Sequence, residues 1–212
     1  MYFRNSLTRL EYNKVLLVAI IPFFMFGCLS TNSYVDPQYR NASYDDINPV
    51  KNKYHAKIDV EFQRNGKHYP RADQECRSHI ERVFRATGVI IPASNGSEIR
   101  IKVVVNNIAD IDEAVAKGFG TGLTFGAAGS AVTDFYDIKI EFYMGDAAPL
   151  TKTYKHAIVT TIGNKPAPLN VEPTTVSDAF GKVVEDAMLN FVKEMQAQNL
   201  LSLLFDFIFT PS

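Results

Sequence analysis

The chain has 212 residues, 46% of them apolar and 21% charged, which fits one folded domain with a sizeable core plus a shorter appendage. Its 22 basic and 23 acidic residues give a net charge of −1, which excludes the basic surplus of a nucleic-acid binder. Two cysteines, Cys28 and Cys76, allow at most one internal disulfide.

Arg4, Arg9 and Lys14 precede an apolar run from Val15 to Gly27, and Cys28 closes it. Charge followed by an apolar run is the layout of a secretory signal. The ending Met25-Phe26-Gly27-Cys28 resembles the lipobox of bacterial lipoproteins, where the chain is cut before the cysteine and the thiol is lipidated. The resemblance implies a signal peptide over residues 1–27 and acyl chains such as palmitate on Cys28. Cys76 then has no partner. A disulfide between Cys28 and Cys76, with a different cleavage site, is the alternative. An uncleaved anchor is the other: it needs about 20 apolar residues to span a bilayer, whereas this run is shorter and Pro22 interrupts it. Leu29, not Asp, follows Cys28. In the sorting rule of enteric bacteria this favours the outer membrane over the inner one. Residues 1–27 hold three basic side chains and the single acid Glu11, so the remainder carries 19 basic against 22 acidic residues, a net −3.

Residues 28–53 are rich in Ser, Asn, Asp, Tyr and Pro and show no period, so they read as a tether that holds a domain off the bilayer. Tyr34, Tyr39 and Tyr44 could dock on the domain or on a partner. The domain is expected over residues 54–199. Ile58, Val60 and Phe62 alternate with polar residues, which predicts a half-buried strand, and Arg64-Asn65-Gly66-Lys67 turns the chain. Cys76, Ile80, Val83 and Phe84 recur at helical spacing over 72–87, and Gly88 ends that helix. A short apolar piece, Val89-Ile90-Ile91, follows, and Asn95-Gly96 makes a turn. Ile99, Ile101, Val103 and Val105 predict the second strand.

Gly118, Gly122 and Gly126 are spaced by four, with Ala114 before and Ser130 after. On a helix such a stripe lets another backbone approach closely, so these glycines are candidate membrane or partner contacts. The alternative is a structural connection that lies flat against neighbouring backbone. Tyr136, Ile138, Ile140 and Phe142 predict the third strand. A hairpin-like connection at Gly145–Pro149 leads to the fourth strand, Lys152–Ile162. Thr175 followed by Asp178 opens a helix in the manner of a capping box, and Phe180, Val183, Val184, Ala187, Met188, Phe191, Val192 and Met195 form its broad apolar stripe. The expected fold is therefore α+β: about four mostly antiparallel strands with two helices on one face, in the order β-α-β-(Gly-rich)-β-β-α. The tail, 200–212, is nearly all apolar, and Leu204, Phe205 and Phe207 are candidate contacts with a membrane or partner if they do not pack on the domain.

No catalytic motif stands out. His55, His68, His79 and His156 lie in no metal-ligand pattern, and neither C-x-x-C nor G-x-S-x-G occurs. Gly118-Phe119-Gly120-Thr121-Gly122 places Leu123 where the dinucleotide fingerprint needs its last glycine. Asp110-Ile111-Asp112-Glu113 lacks the calcium-loop glycine. No cofactor and no metal are expected. Cys76 lies on an apolar stripe, which suits a structural thiol better than a nucleophile.

The lipobox at Met25–Cys28, the tether, the strand-helix-strand start Ala56–Val105, the glycine-rich Gly118–Gly129 and the helix Val176–Gln196 together resemble the small uncharacterised lipoproteins of Gram-negative envelopes. The curli secretion lipoprotein and the lipopolysaccharide-transport lipoprotein are similar in outline, and no residue motif carries over from either. The resemblance implies a non-catalytic binding, accessory or assembly subunit, held by its lipid on the periplasmic face of the outer membrane, with an envelope protein or a second copy as partner and no nucleic acid. The alternative is an envelope-associated enzyme or a lipid or small-molecule carrier with a pocket between sheet and helices. That reading expects His156, Tyr154 or His79 to converge with carboxylates.

Overall fold

The computed structural model describes residues 31–94, 97, 99–109, 118–120, 131–145, 147–162 and 170–200. The lipobox-like Met25–Cys28, the turn at Asn95-Gly96, the glycines Gly122 and Gly126, and the tail residues Leu204, Phe205 and Phe207 lie outside the described residues.

The elements run β1 (Thr31–Val35), β2 (Tyr54–Arg64), β3 (Lys67–His68), α1 (Asp73–Thr87), β4 (Ile90–Pro92), β5 (Ile99–Ile108), β6 (Ala131–Met144), β7 (Leu150–Ile162) and α2 (Val176–Ala197). They build one seven-stranded sheet in the order β1-β7-β6-β5-β2-β3, with β4 pairing to β2 off that path. β6 and β7 reverse over a short connection and pair antiparallel. β2 and β5 are parallel, because α1 carries the chain back between them.

The expectation of four strands is corrected to seven, and the expected order gains β1, β3 and β4. The four long strands and both helices lie where their periodicity places them. The additions are short, five, two and three residues, too few to show a period. β4 is parallel to β2, as β5 is, so the sheet is mixed.

One face of the sheet and both helices share the main core. Ile101, Val103 and Val105 of β5 and Ile138 and Ile140 of β6 meet Ile80, Val83 and Phe84 of α1 and Val184, Met188 and Phe191 of α2. Gly88 ends α1 in the left-handed conformation (φ 69°) that a C-terminal cap requires. Thr175 caps α2 by accepting the Asp178 N–H at 3.1 Å. The two helices come close where Gly181 of α2 faces the His79 ring: a Cβ there would sit 2.9 Å from the ring.

The opposite face is polar along most of its length. Lys57 pairs with Asp59 at 3.4 Å, Lys102 with Glu61 at 3.7 Å and Lys139 with Glu141 at 2.9 Å, while Arg100 stacks over the Tyr143 ring. At one end this face is covered by Phe119, which packs with Ile108, Phe135 and Ala157.

Parts of both sheet edges are covered. Ser33 on the outer side of β1 exchanges two backbone hydrogen bonds, 3.0 and 2.9 Å, with Thr174. Between β4 and β3, the free edge of β2 is covered by α1: Asp73 accepts the Phe62 N–H at 2.7 Å and Arg77 donates to the Ile58 carbonyl. Such covering blocks edge-to-edge pairing with another chain.

The stretch read as a spacer is folded from Thr31 onward. β1 pairs antiparallel with β7 in the register Thr31↔Ile162 to Val35↔Ile158. Tyr34 is buried to 1% exposure against Val159 and Val171.

Candidate functional site

Past Val35, β7 has no strand partner on its outer edge, and residues 36–50 cross it as a strap. Asp36 opens the strap. Its backbone N–H donates to the Ala157 carbonyl at 3.0 Å, and its carboxylate accepts the Gln38 N–H at 3.0 Å, capping a short 3-10 turn that Pro37 begins. The strap then runs along α2. Arg40 lies 3.9 Å from Asp186, Tyr44 Oη donates to Glu185 at 3.1 Å, Lys193 pairs with Asp46 at 3.6 Å, and Gln196 bonds both backbone groups of Asn48.

The turn of the strap also holds the start of the glycine-rich stretch. Tyr39 Oη donates to the Gly120 carbonyl and accepts the Gly120 N–H at 3.1 Å, and Gln38 donates to the same carbonyl. Gly118 adopts φ 74°, a turn conformation that takes it off any helix, and Lys155 donates to its carbonyl at 3.4 Å. Phe119 between them is buried edge-on against Phe135, 5.3 Å between centroids, with the Lys155 ammonium 5.2 Å from its ring. At Gly118–Gly120 the segment therefore lies flat on the sheet.

Beneath the strap sits a buried ion-pair geometry. His156 of β7 faces α2, and its Nε2 lies 3.1 Å from Asp186 Oδ2; both side chains are nearly closed off, at 2% and 9% exposure. The Ala157 N–H donates to His156 Nδ1 at 2.9 Å. Nδ1 also lies 3.4 Å from the Ala157 carbonyl, so both ring nitrogens face polar partners. Tyr39 packs against this ring at 5.5 Å.

A cavity of about 380 Å³ lies between the strap, the residues before α2, and α2 itself. Its walls include Asp36, Arg40, Glu172, Lys182, Glu185 and Asp186. Six charged side chains make a poor seat for an acyl chain, which needs apolar walls. The cavity also lies on the edge of the molecule and not between sheet and helices.

His156 and Tyr154 each lie beside a carboxylate, and the three candidate side chains stand apart from one another. His156 faces Asp186; Tyr154 lies near Glu194, whose charge adds to burial in raising the phenol pKa; and His79 packs on Phe180 and Gly181 across α2. Asp186 and Glu194 are eight positions apart on α2, roughly 12 Å along its axis. Burial, with Asp73 and Glu75 nearby, pushes the Cys76 thiol up to about 12, which suits a structural thiol. Among the described residues no group of three or more His, Cys, Asp or Glu could hold a metal ion, and no helix is long and apolar enough to cross a membrane.

Sequence reasoning missed the strap and Asp186. The signal for Asp186 is an acid set inside the apolar stripe, between Val184 and Ala187.

No family model matches this chain, and no curated protein matches it. Solved structures do show likenesses. The PelC dodecamer from Paraburkholderia phytofirmans aligns at TM-score 0.33 and 10% identity, over 76% of this chain and 97% of that one. A minor lipoprotein from Acinetobacter baumannii aligns at TM-score 0.35 and 9% identity, over 71% of this chain and 96% of that one. The rare lipoprotein B from Shewanella oneidensis aligns at TM-score 0.31 and 9% identity, over 72% of this chain and 98% of that one. TM-scores and identities this low carry no argument about function.

Proposed function

We propose that this chain is a bacterial envelope lipoprotein, anchored through lipid on Cys28 to the periplasmic face of the outer membrane. There it serves as a non-catalytic binding, accessory or assembly subunit. The observation that carries the reading is the junction between signal and domain. The lipobox-like Met25–Cys28 ends just ahead of β1, which begins the described fold at Thr31. Cutting before Cys28 removes no described element, so the cleaved product keeps the whole sheet. Two or more acyl chains on the new N-terminus give stable anchoring.

Support for a non-catalytic role comes from the chemistry of the buried groups. His156 is tied on both nitrogens, and Cys76 is held protonated. The partner is an envelope protein or a second copy of this chain. Photo-crosslinking in intact cells, with the crosslinker placed at exposed positions around the domain, tests this. A discrete higher-mass adduct with an envelope protein or with itself is expected; a chain that stays monomeric at every position, while turning over an envelope substrate, contradicts it.

A further inference from the structure

One rim of the sheet differs from the rest of the surface. Thr31 pairs with Ile162, Ala131 with Thr161 and Val132 with Thr160. Ser33 bridges to Thr174, just ahead of the first residue of α2. The segments 31–33, 131–133, 160–162 and 174–177 therefore meet at a single end of the molecule. None of their residues is charged, and most carry hydroxyls. Five large hydrophobic residues are exposed among the described residues, and three of them lie here: Val132 at 55%, Ile162 at 38% and Val176 at 53%. The other two, Tyr44 and Tyr69, carry a polar tip. The opposite rim holds Lys57, Arg100 and Lys152 near the starts of β2, β5 and β7, and Arg64 and Lys67 stand at the β2–β3 corner of this same end.

The uncharged rim is also where the chain arrives from Cys28. Three residue steps separate Cys28 from Thr31, a reach of about 10 Å fully extended. A domain tied this closely to its lipid cannot stand off the bilayer on a spacer. Resting on the lipid-anchor reading, we infer that this rim lies against the phospholipid surface, with Val132, Ile162 and Val176 seated at the boundary between headgroups and acyl chains. Apolar side chains gain by leaving water there, while the exposed carboxylates of Asp178 and Glu75, which accept from Thr175 at 2.8 Å and Ser177 at 3.2 Å, stay on the water side of that boundary. α2, 22 residues and roughly 33 Å long, starts at this rim and carries the chain to the other end of the domain.

The test uses the full chain, purified from membranes and reconstituted in phosphatidylethanolamine–phosphatidylglycerol vesicles. Val132→Cys, Ile162→Cys and the far-rim control Thr151→Cys are spin-labelled one at a time; Cys76 is fully buried and does not compete. The ratio of oxygen to nickel-chelate collision rates should be several-fold higher at 132 and 162 than at 151. Equal ratios at all three sites overturn the inference, as does protection from both reagents that persists in detergent, which would place a second copy on the rim. The mass of each preparation is measured alongside. A lipidated protein with equal ratios sinks the orientation alone, whereas an unlipidated Cys28 sinks the anchor and the orientation with it.

Discussion

His79 is held where its charge is unwelcome. Burial against α2 comes first and the Arg82 guanidinium second, and they outweigh Glu75 and Asp178, so its pKa lies below 6.5. The unfolded chain then takes up this proton first as the pH falls. The neutral ring's contribution to stability is present above pH 6.5 and is lost as the pH drops through the lower folded-state value. The urea midpoint should fall on acidification below pH 6.5, and His79→Gln should flatten that fall; an unchanged slope contradicts the assignment. His156 meets its partner inside the core, 3.1 Å from Asp186. Asp186→Ala leaves the buried His156 Nε2 without its partner and should cost about 3 kcal/mol by urea unfolding. At this scale the sequence showed which residue types were present but not which ones meet. His156 and Asp186 are 30 positions apart, and only the packing of α2 on β7 brings them together.

The helices show how an element depends on one small residue. Gly181 lowers the intrinsic stability of α2, since Ala is the better helix former by about 1 kcal/mol. It is tolerated because the His79 ring fills the space a Cβ would occupy. Gly181→Ala should therefore destabilise the domain, and the added change His79→Ala should recover part of the loss. The measurement is a double-mutant cycle in urea; additive effects would mean that the two residues do not press on each other. The long strands and both helices were legible because each is long enough to repeat its apolar period. β1 was not: Thr-Asn-Ser-Tyr-Val carries one large apolar side chain per face, and its strand character comes from the open edge of β7. The strap was hidden for the same reason. Its order comes from bonds to α2 and Gly120, made by Tyr39, Arg40, Tyr44 and Asn48, residue types that also fill spacers.

For the molecule as a whole, the folded strap changes what the N-terminus can do. A spacer of residues 28–53 would let the domain sample a wide volume above the bilayer. With β1 beginning at Thr31 and residues 36–50 bound along α2, residues 31–50 belong to the fold, and the proposed anchor brings a fixed end of the domain to the lipid. The covered stretches of the β1 and β2 edges fit the same picture, since covering blocks pairing with another chain there. The candidate contacts Gly122, Gly126, Leu204, Phe205 and Phe207 lie outside the described residues, whereas Gly118 is held against the sheet by Lys155. All of this depends on Cys28. Intact-mass and N-terminal peptide mass spectrometry of the protein isolated from a Gram-negative host tests it most directly. The account predicts a chain that begins at Cys28 and carries acyl chains on it; a chain that retains residues 1–27, or an unmodified Cys28, would contradict it.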